Sequence, residues 1–468
     1  MISFILNQET IHTAVSPGMT VLDFVRYHQH LKGTKIGCRE GDCGACTLLV
    51  GELHSGKLRY QTMTSCLMPL RNAARKHIVT IEGINPPSGK LTPVQSAMAE
   101  ESGTQCGFCT VGFVQSLTCF CLDHPNPQPE DAISAIDGNI CRCTGYKSIE
   151  RATEKLCTLL QSRGDINPVE FAITTGIVPE WFSSIPARLS ELQTSAPLAV
   201  PSSPVSKIIG GGTDLYVQRP EEMVHEAAIP VADIPALREI KKEKDRIVIG
   251  GSVTVTALWE SELLRSCFPK LTPHIKLVSS TPIRNMATVA GNLVNASPIG
   301  DLTVWFLAMD AIIVLRNGST REVPLRDFYQ GYKALNKHQA EWVEKILFKI
   351  PDAHTWYNFE KVSKRRYLDI ASVNTAISIR MIDNTIQEAH VAAGGVAPIP
   401  LYLRNISSCL MHKTLPLSEA CWRELNHSLQ AEIQPIDDVR GSAVYKRLLL
   451  QQLFRAHFTE FAASHEKH

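Results

Sequence analysis

The sequence is poor in several features, and each shortage excludes something. Its 47 Lys and Arg nearly cancel its 46 Asp and Glu, leaving a formal net charge of +1. Near neutrality removes the global electrostatic case for a nucleic-acid or membrane-surface partner. Local runs such as Lys361–Arg366 are therefore read locally, as anion contacts or a solvated face. No apolar stretch reaches the roughly 18 to 20 residues that a membrane span needs. The N-terminus, Met1-Ile-Ser-Phe-Ile-Leu, lacks a basic n-region and a continuous apolar h-region, so it reads as a first strand. A soluble, cytoplasmic chain is expected. No internal repeat or low-complexity tract is evident, and no G-x-G-x-x-G motif supports a Rossmann unit.

What remains is an ordinary globular composition, 44% hydrophobic and 20% charged, over 468 residues. At roughly 150 residues per domain this length predicts about three domains. Residues 2–6 and 10–15 form a hairpin around Asn7-Gln8-Glu9, and Thr20–His30 has helical spacing. A glycine-dense loop over 33–46 then leads to an apolar strand, Thr47–Val50, which is a small β-grasp pattern. From Pro93 to about Leu160 the pattern is that of a helical bundle, interrupted at 124–129 and around Cys141. Residues 162–182 have weak periodicity and read as a linker. Beyond 183, short β-like runs (Lys207–Ile209, Ile247–Ile249, Ile312–Leu315) alternate with helical pieces. The last stretch has strand-like Ser372–Met381 and His390–Ala393 and ends in a helix from Ser442 to about Phe461.

Cysteine is abundant and clustered: eleven of fourteen lie between Cys38 and Cys157. In a reducing compartment such clustering argues for metal sites over disulfides. Cys38, Cys43 and Cys46, with Cys66 later, have the C-x4-C-x2-C…C spacing of a plant-type [2Fe-2S] site. A tight loop supplies three converging thiolates only if its backbone turns sharply, which Gly37, Gly41 and Gly44 permit. The alternative, a four-cysteine zinc site, usually repeats C-x2–4-C symmetrically, unlike this trio. Cys106, Cys109, Cys141 and Cys143 supply four more thiols, the first pair just before a helical run whose N-terminus favours an anionic centre. Cys119 and Cys121 copy the C-x-C spacing of Cys141 and Cys143 but lie inside the apolar helical run Val111–Leu122, so core packing is their expected role. Cys157 takes the same reading, and Cys267, Cys409 and Cys421 are expected to be buried or incidental.

Further on, Lys207-Ile-Ile-Gly-Gly-Gly-Thr-Asp-Leu215 follows a strand. Successive backbone N–H groups in such a turn can nest a pyrophosphate. Read from the residues alone, Asp301 would cap the helix that follows and Lys361 would be an exposed lysine.

The motifs Gln105-Cys-Gly-Phe-Cys-Thr110 and Asn139-Ile-Cys-Arg-Cys-Thr-Gly-Tyr146, after the plant-type set, resemble the iron–sulfur half of the molybdenum hydroxylases. That family includes xanthine dehydrogenases, aldehyde oxidases and carbon monoxide dehydrogenases. Thr281-Pro-Ile-Arg-Asn-Met-Ala-Thr-Val-Ala-Gly-Asn292 through Asp301, Lys361–Ala371, Gly394–Pro398 and Asp438–Arg447 resemble its flavin-binding stretches, so the likeness covers nearly the whole chain.

The resemblance implies an α+β multidomain fold: a β-grasp [2Fe-2S] domain over 1–85, a four-helix [2Fe-2S] domain over 86–161, and the linker 162–182. An FAD-binding domain of the vanillyl-alcohol-oxidase type over 183–353 and a C-terminal flavoprotein domain over 354–465 complete it. It further implies that Ile208, Ile209, Gly210, Gly211, Gly212 and Thr213 cradle the FAD pyrophosphate. Thr288, Val289, Ala290, Gly291 and Asn292 would contact phosphate and sugar, Asp301 would accept from a sugar or ribityl hydroxyl, and Lys361 would approach the flavin. Gln105 would lie near a molybdopterin held by a separate large subunit, in a heterotetramer of two small and two large chains. The order of parts looks most like bacterial xanthine dehydrogenase small subunits, with NAD+ as acceptor and purine oxidised on the partner. Tyr367-Leu368 departs from many NAD-using relatives, which carry acidic residues there. The competing expectations are a sibling hydroxylase of aldehydes or N-heterocycles, a partner-independent NADH–acceptor reductase, and a non-enzymatic metal-binding scaffold.

Overall fold

The computed structural model describes residues 1–54, 56–123, 127–193, 208–226 and 229–465. The chain folds into two compact units. The first is Met1–Leu198 with Gly211–Pro230 and Ser280–Ala287; the second is Ala199–Gly210, Val231–Ser279 and Thr288–His468. Among the described residues no helix is long and apolar enough to cross a membrane.

The first unit opens with a five-stranded sheet of order β2-β1-β5-β3-β4, in which β1 is Ile2–Leu6, β2 Glu9–Thr13, β3 Thr47–His54, β4 Lys57–Thr64 and β5 His77–Val79. The expected first hairpin forms, with Asn7 at φ 51° in its turn. β1 runs parallel to β5, and the other pairings are antiparallel. Four helices follow: α1 Pro93–Glu100, α2 Thr110–Asp123, α3 Pro129–Ala135 and α4 Lys147–Gln161. Thr92 and Gln95 form a capping box ahead of Pro93, which starts α1 without needing an N–H. Every residue of α2 from Gly112 to Leu122 is buried, as a helix apolar on all sides must be.

Residues 162–182 are not a free linker. Asn167 caps α5, Pro168–Thr174, by accepting from the amides of Val169 and Glu170. Phe171, Ala172, Ile177, Val178 and Phe182 then bury themselves in the helical core. The next helix, α6, Ile185–Gln193, packs Ile185 and Leu189 against Ile5 of the first sheet. α6 thus packs within the first unit, because burying these apolar faces outweighs the weak local periodicity.

The second unit has two larger sheets, besides the two-stranded pair Tyr329–Gly331 and Ala334–Leu335. One has the order β9-β8-β10-β7-β6, with β6 Ile240–Glu243, β7 Arg246–Gly250, β8 Ile312–Asn317, β9 Ser319–Pro324 and β10 Trp342–Lys349. The other is an antiparallel meander of β11 Thr355–Val362, β12 Val373–Ile382, β13 Thr385–Gly394 and β14 Leu401–Tyr402. Short helices α7, Val289–Asn295, and α8, Asp301–Leu307, and the long α9, Ala443–His465, complete the elements needed below. Phe268, Trp305 and Tyr357 meet at ring centroids 4.8 to 5.5 Å apart. Such pairs add to the burial of their large apolar surfaces. Lys207 lies outside the described residues; Ile208–Ile209 is a strand as expected.

Candidate redox sites

The first thiol loop turns where its glycines allow. Gly41 and Gly44 have φ of +81° and +69°, a region an L side chain resists. A Cβ on Gly37 would stand 2.6 Å from Cys43 Sγ. The loop's amides point at sulfur: Cys38 N donates to Cys43 Sγ (3.4 Å) and Glu40 N to Cys38 Sγ (3.3 Å). Its four thiols meet two and two, Cys38 beside Cys43 and Cys46 beside Cys66. The bond from the Cys43 thiol lowers Cys38 to about 5 against the opposing effect of burial. The same bond, with burial, raises Cys43. Cys66 likewise lowers Cys46 and is itself raised, by that bond and by burial. Each pair thus holds a thiol that readily becomes the thiolate a metal takes. Sequence reasoning missed the clamp that fixes this loop: Arg39, at φ +58°, donates to both oxygens of Asp23 at 3.1 and 2.6 Å.

The second set is also paired, Cys109 with Cys141 and Cys106 with Cys143. Burial and the Cys141 thiol push Cys109 up to about 12. For Cys141 burial is outweighed by hydrogen bonds, so it is lowered: Thr144 Oγ1 donates to its sulfur at 3.2 Å and Cys143 N at 3.4 Å. α2 begins one residue after Cys109, so its positive end faces this thiol set. Among the described residues, no three His, Cys, Asp or Glu side chains gather around one point. The thiols come in pairs, and paired thiols suit a two-iron centre, in which four cysteines are shared between two irons.

Cys119 and Cys121 sit in α2 with 7% and 0% exposure, inside the core, as expected. Burial pushes Cys121 up to about 12 and Cys157 up to about 11, which keeps both as inert thiols. Cys267, Cys409 and Cys421 are half-buried.

The flavin candidates divide between the units. In the first, a Cβ on Gly211 would lie 1.9 Å from Met286 O, and Gly212, at φ +81°, precedes the helix Thr213–Gln218. In the second, a Cβ on Gly210 would lie 2.7 Å from Thr288 Oγ1. Thr288 caps α7 by accepting from Gly291 N at 3.2 Å. Val289 is fully buried, so only its backbone is available to a ligand. Asn292 Oδ1 accepts from Thr303 Oγ1 at 3.1 Å, which ties α7 to α8.

α8 begins at Asp301, whose carboxylate does not cap the helix; Gly300 stands at the N-cap. Instead Asp301 accepts from Lys361 Nζ (2.6 Å) and Asn374 Nδ2 (2.5 Å). Lys361 is not an exposed lysine: its side chain is 1% accessible, and it also donates to Leu277 O at 2.7 Å. Asn374, fully buried on β12, carried no sequence signal, because only the fold brings it to Asp301. Gly395, at φ +83°, donates to Pro298 O at 2.9 Å and holds the loop before Asp301. Of the basic run, Lys364, Arg365 and Arg366 are exposed. Tyr367 lies between Lys276 and Arg366, 5.4 and 5.3 Å from its ring centroid.

Taken unit by unit, these residues suit parts of a flavin nucleotide: in the first, Gly211 and Gly212 leave bare backbone before the helix Thr213–Gln218, and in the second Gly210 leaves bare backbone beside Thr288, which caps α7. Asn374 Oδ1 is buried with no hydrogen-bond partner among the described residues, an acceptor left for a ligand N–H or O–H.

Four domain families match in order along the chain. Residues 4–71 match a 2Fe-2S iron-sulfur cluster binding domain and 80–154 a [2Fe-2S] binding domain. Residues 183–352 match an FAD binding domain in molybdopterin dehydrogenase, and 359–461 a CO dehydrogenase flavoprotein C-terminal domain. The chain is therefore an α+β multidomain iron–sulfur flavoprotein. Together its domains fit the iron–sulfur/FAD electron-transfer subunit of the molybdenum hydroxylase family. Among its relatives, xanthine dehydrogenase of Emericella nidulans is 29% identical over 88% of this chain and 35% of that protein. Aldehyde oxidase 4 of Cavia porcellus is 25% identical over 97% of this chain and 39% of that protein. The chain thus spans little more than a third of the curated relatives it matches. The reconstituted CO dehydrogenase from Oligotropha carboxidovorans shares the fold over 53% of this chain and 87% of that chain, with 24% identity and a TM-score of 0.50.

Proposed function

We propose that this chain carries electrons from a molybdopterin-binding large subunit, through two [2Fe-2S] clusters, to FAD. Cys38, Cys43, Cys46 and Cys66 would hold one cluster, and Cys106, Cys109, Cys141 and Cys143 the other. The observation that carries this reading is the two-by-two meeting of these eight thiols, brought from four segments of one unit. When bound, the clusters take one electron each and the flavin two. The chain's own residues do the holding. Cys38 and Cys46 give up their protons most readily within their pairs. Gly210, Gly211 and Gly212 keep side chains out of the pyrophosphate's way. Asp301, fixed by Lys361 and Asn374, presents its remaining lone pairs to a ribityl or sugar hydroxyl.

Xanthine dehydrogenation is the proposed overall reaction, supported by relatives of that name over most of the chain. Purine would be hydroxylated on the partner, in an assembly of two small and two large chains, and NAD+ would reoxidise the flavin. The test is to co-purify the chain with its large subunit and assay urate and NADH formation from xanthine. Activity on aldehydes alone, or a complex without molybdenum, would refute the proposal.

A second reading of the acceptor has its own support. Tyr367 stands where an acidic residue would seat a nicotinamide dinucleotide, and it is flanked by Lys276 and Arg366. An acceptor other than NAD+ would then be reduced. Xanthine-dependent dye reduction without NADH formation would favour it.

A further inference from the structure

We propose that Asn139 is a positioning residue that locks the two thiol loops together and so sets the separation across which an electron passes from one cluster to the other. The inference rests on the cluster assignment above.

Asn139 lies two residues before Cys141 and is buried. Its Nδ2 donates to Gly44 O at 3.2 Å, one residue from Cys43 and two from Cys46. Its Oδ1 accepts from Ser116 Oγ at 2.7 Å, on the helix that starts just after Cys109. One side-chain amide thus touches elements carrying ligands of both clusters. The neighbouring residue repeats the link through the backbone, with Ile140 N donating to Cys43 O at 3.1 Å.

The junction has no room for side chains at its glycines. A Cβ on Gly112 would stand 2.2 Å from Gly44 O and 2.8 Å from Asn139 Nδ2. A Cβ on Gly44 would stand 2.3 Å from Gly138 O and 2.4 Å from Asn139 Nδ2. Three backbone segments therefore approach as closely as bare glycine allows. The turn is also pinned from its other side: Thr281 N donates to Asp137 Oδ1 at 2.8 Å, and Arg284, fully buried, donates to Asp137 Oδ2 at 2.7 Å. A junction held from both sides can keep a fixed spacing.

A merely structural Asn139 would satisfy Gly44 O without affecting how the clusters sense each other. The spectroscopic consequence separates the two roles. In the full-length, cluster-loaded chain reduced with dithionite, each cluster carries one unpaired spin, and neighbouring spins split or relax each other's paramagnetic signals. Wild-type chain should show both signals with this mutual interaction. Asn139→Ala and Gly112→Ala should keep both signals at their wild-type field positions but weaken the interaction. Asn139→Asp keeps the acceptor for Ser116 and loses the donor to Gly44; it should do the same, and it carries the test if the alanine variants lose iron. An undiminished interaction in variants that hold both clusters, or none in the wild type, would overturn the proposal. Absence of either signal from the wild type would instead overturn the cluster assignment.

Discussion

At the scale of single residues, the eight thiols are not interchangeable with the other six. Cys43→Ser should abolish one [2Fe-2S] signal and Cys109→Ser the other, whereas Cys121→Ser, in the core of α2, should leave both; electron paramagnetic resonance of the reduced variants checks this. Retention of both signals in Cys43→Ser would refute the ligand set. Lys361→Met removes one partner of a pair whose side chains are 1% and 12% accessible and strands the Asp301 charge. The expected cost is about 3–5 kcal/mol, seen as a lower denaturant midpoint of the full-length chain. Gly211→Val has no room, since a Cβ there would lie 1.9 Å from Met286 O, so FAD content should fall relative to wild type. Cysteine spacing singled out the eight thiols that the fold brings together in pairs, because such spacing is a local pattern. The partners of Asp301 were not legible. Lys361 and Asn374 lie 60 and 73 residues away, and no local pattern marks a pairing made by the fold.

At the scale of elements, the helix α9 is fastened to its sheet by a buried neutral histidine. His457, fully buried, hydrogen-bonds Asn358 through Nδ1 (3.0 Å) and Thr375 through Nε2 (2.7 Å). Burial lowers it to about 3, and burial lowers nearby His274 to about 4. Both folded values lie below the ordinary 6.5, so the unfolded chain takes up these protons first. The stability they protect is complete above about pH 6.5 and is lost as pH falls towards 4, at up to about 1.4 kcal/mol per pH unit for each histidine. Thermal melts between pH 7 and 4.5 should show this slope, and His457→Gln should flatten it; an unchanged slope would contradict the account. The long elements, such as α2 and α9, were legible from the sequence because apolar residues recur over several turns. The helix α5 was not, since seven residues offer too few repeats and its burial is decided by the core it joins.

At the scale of the whole molecule, two iron–sulfur domains and a flavin domain follow one another along one chain, the parts that the proposed electron path needs. The order of domains was readable from motifs alone, and the matched families follow it. The packing of α6 on the first sheet was not, because only the fold brings Ile185 and Leu189 to Ile5. A large subunit bearing molybdopterin is expected to co-purify with the chain and to confer xanthine oxidation that neither chain has alone. The central claim, two clusters and a flavin on this chain, is tested most directly by its own spectra. Visible absorption and low-temperature paramagnetic resonance of the purified full-length chain should show flavin bands and two distinct [2Fe-2S] signals on reduction. Bound zinc, a colourless protein, or a single iron–sulfur signal would contradict the account.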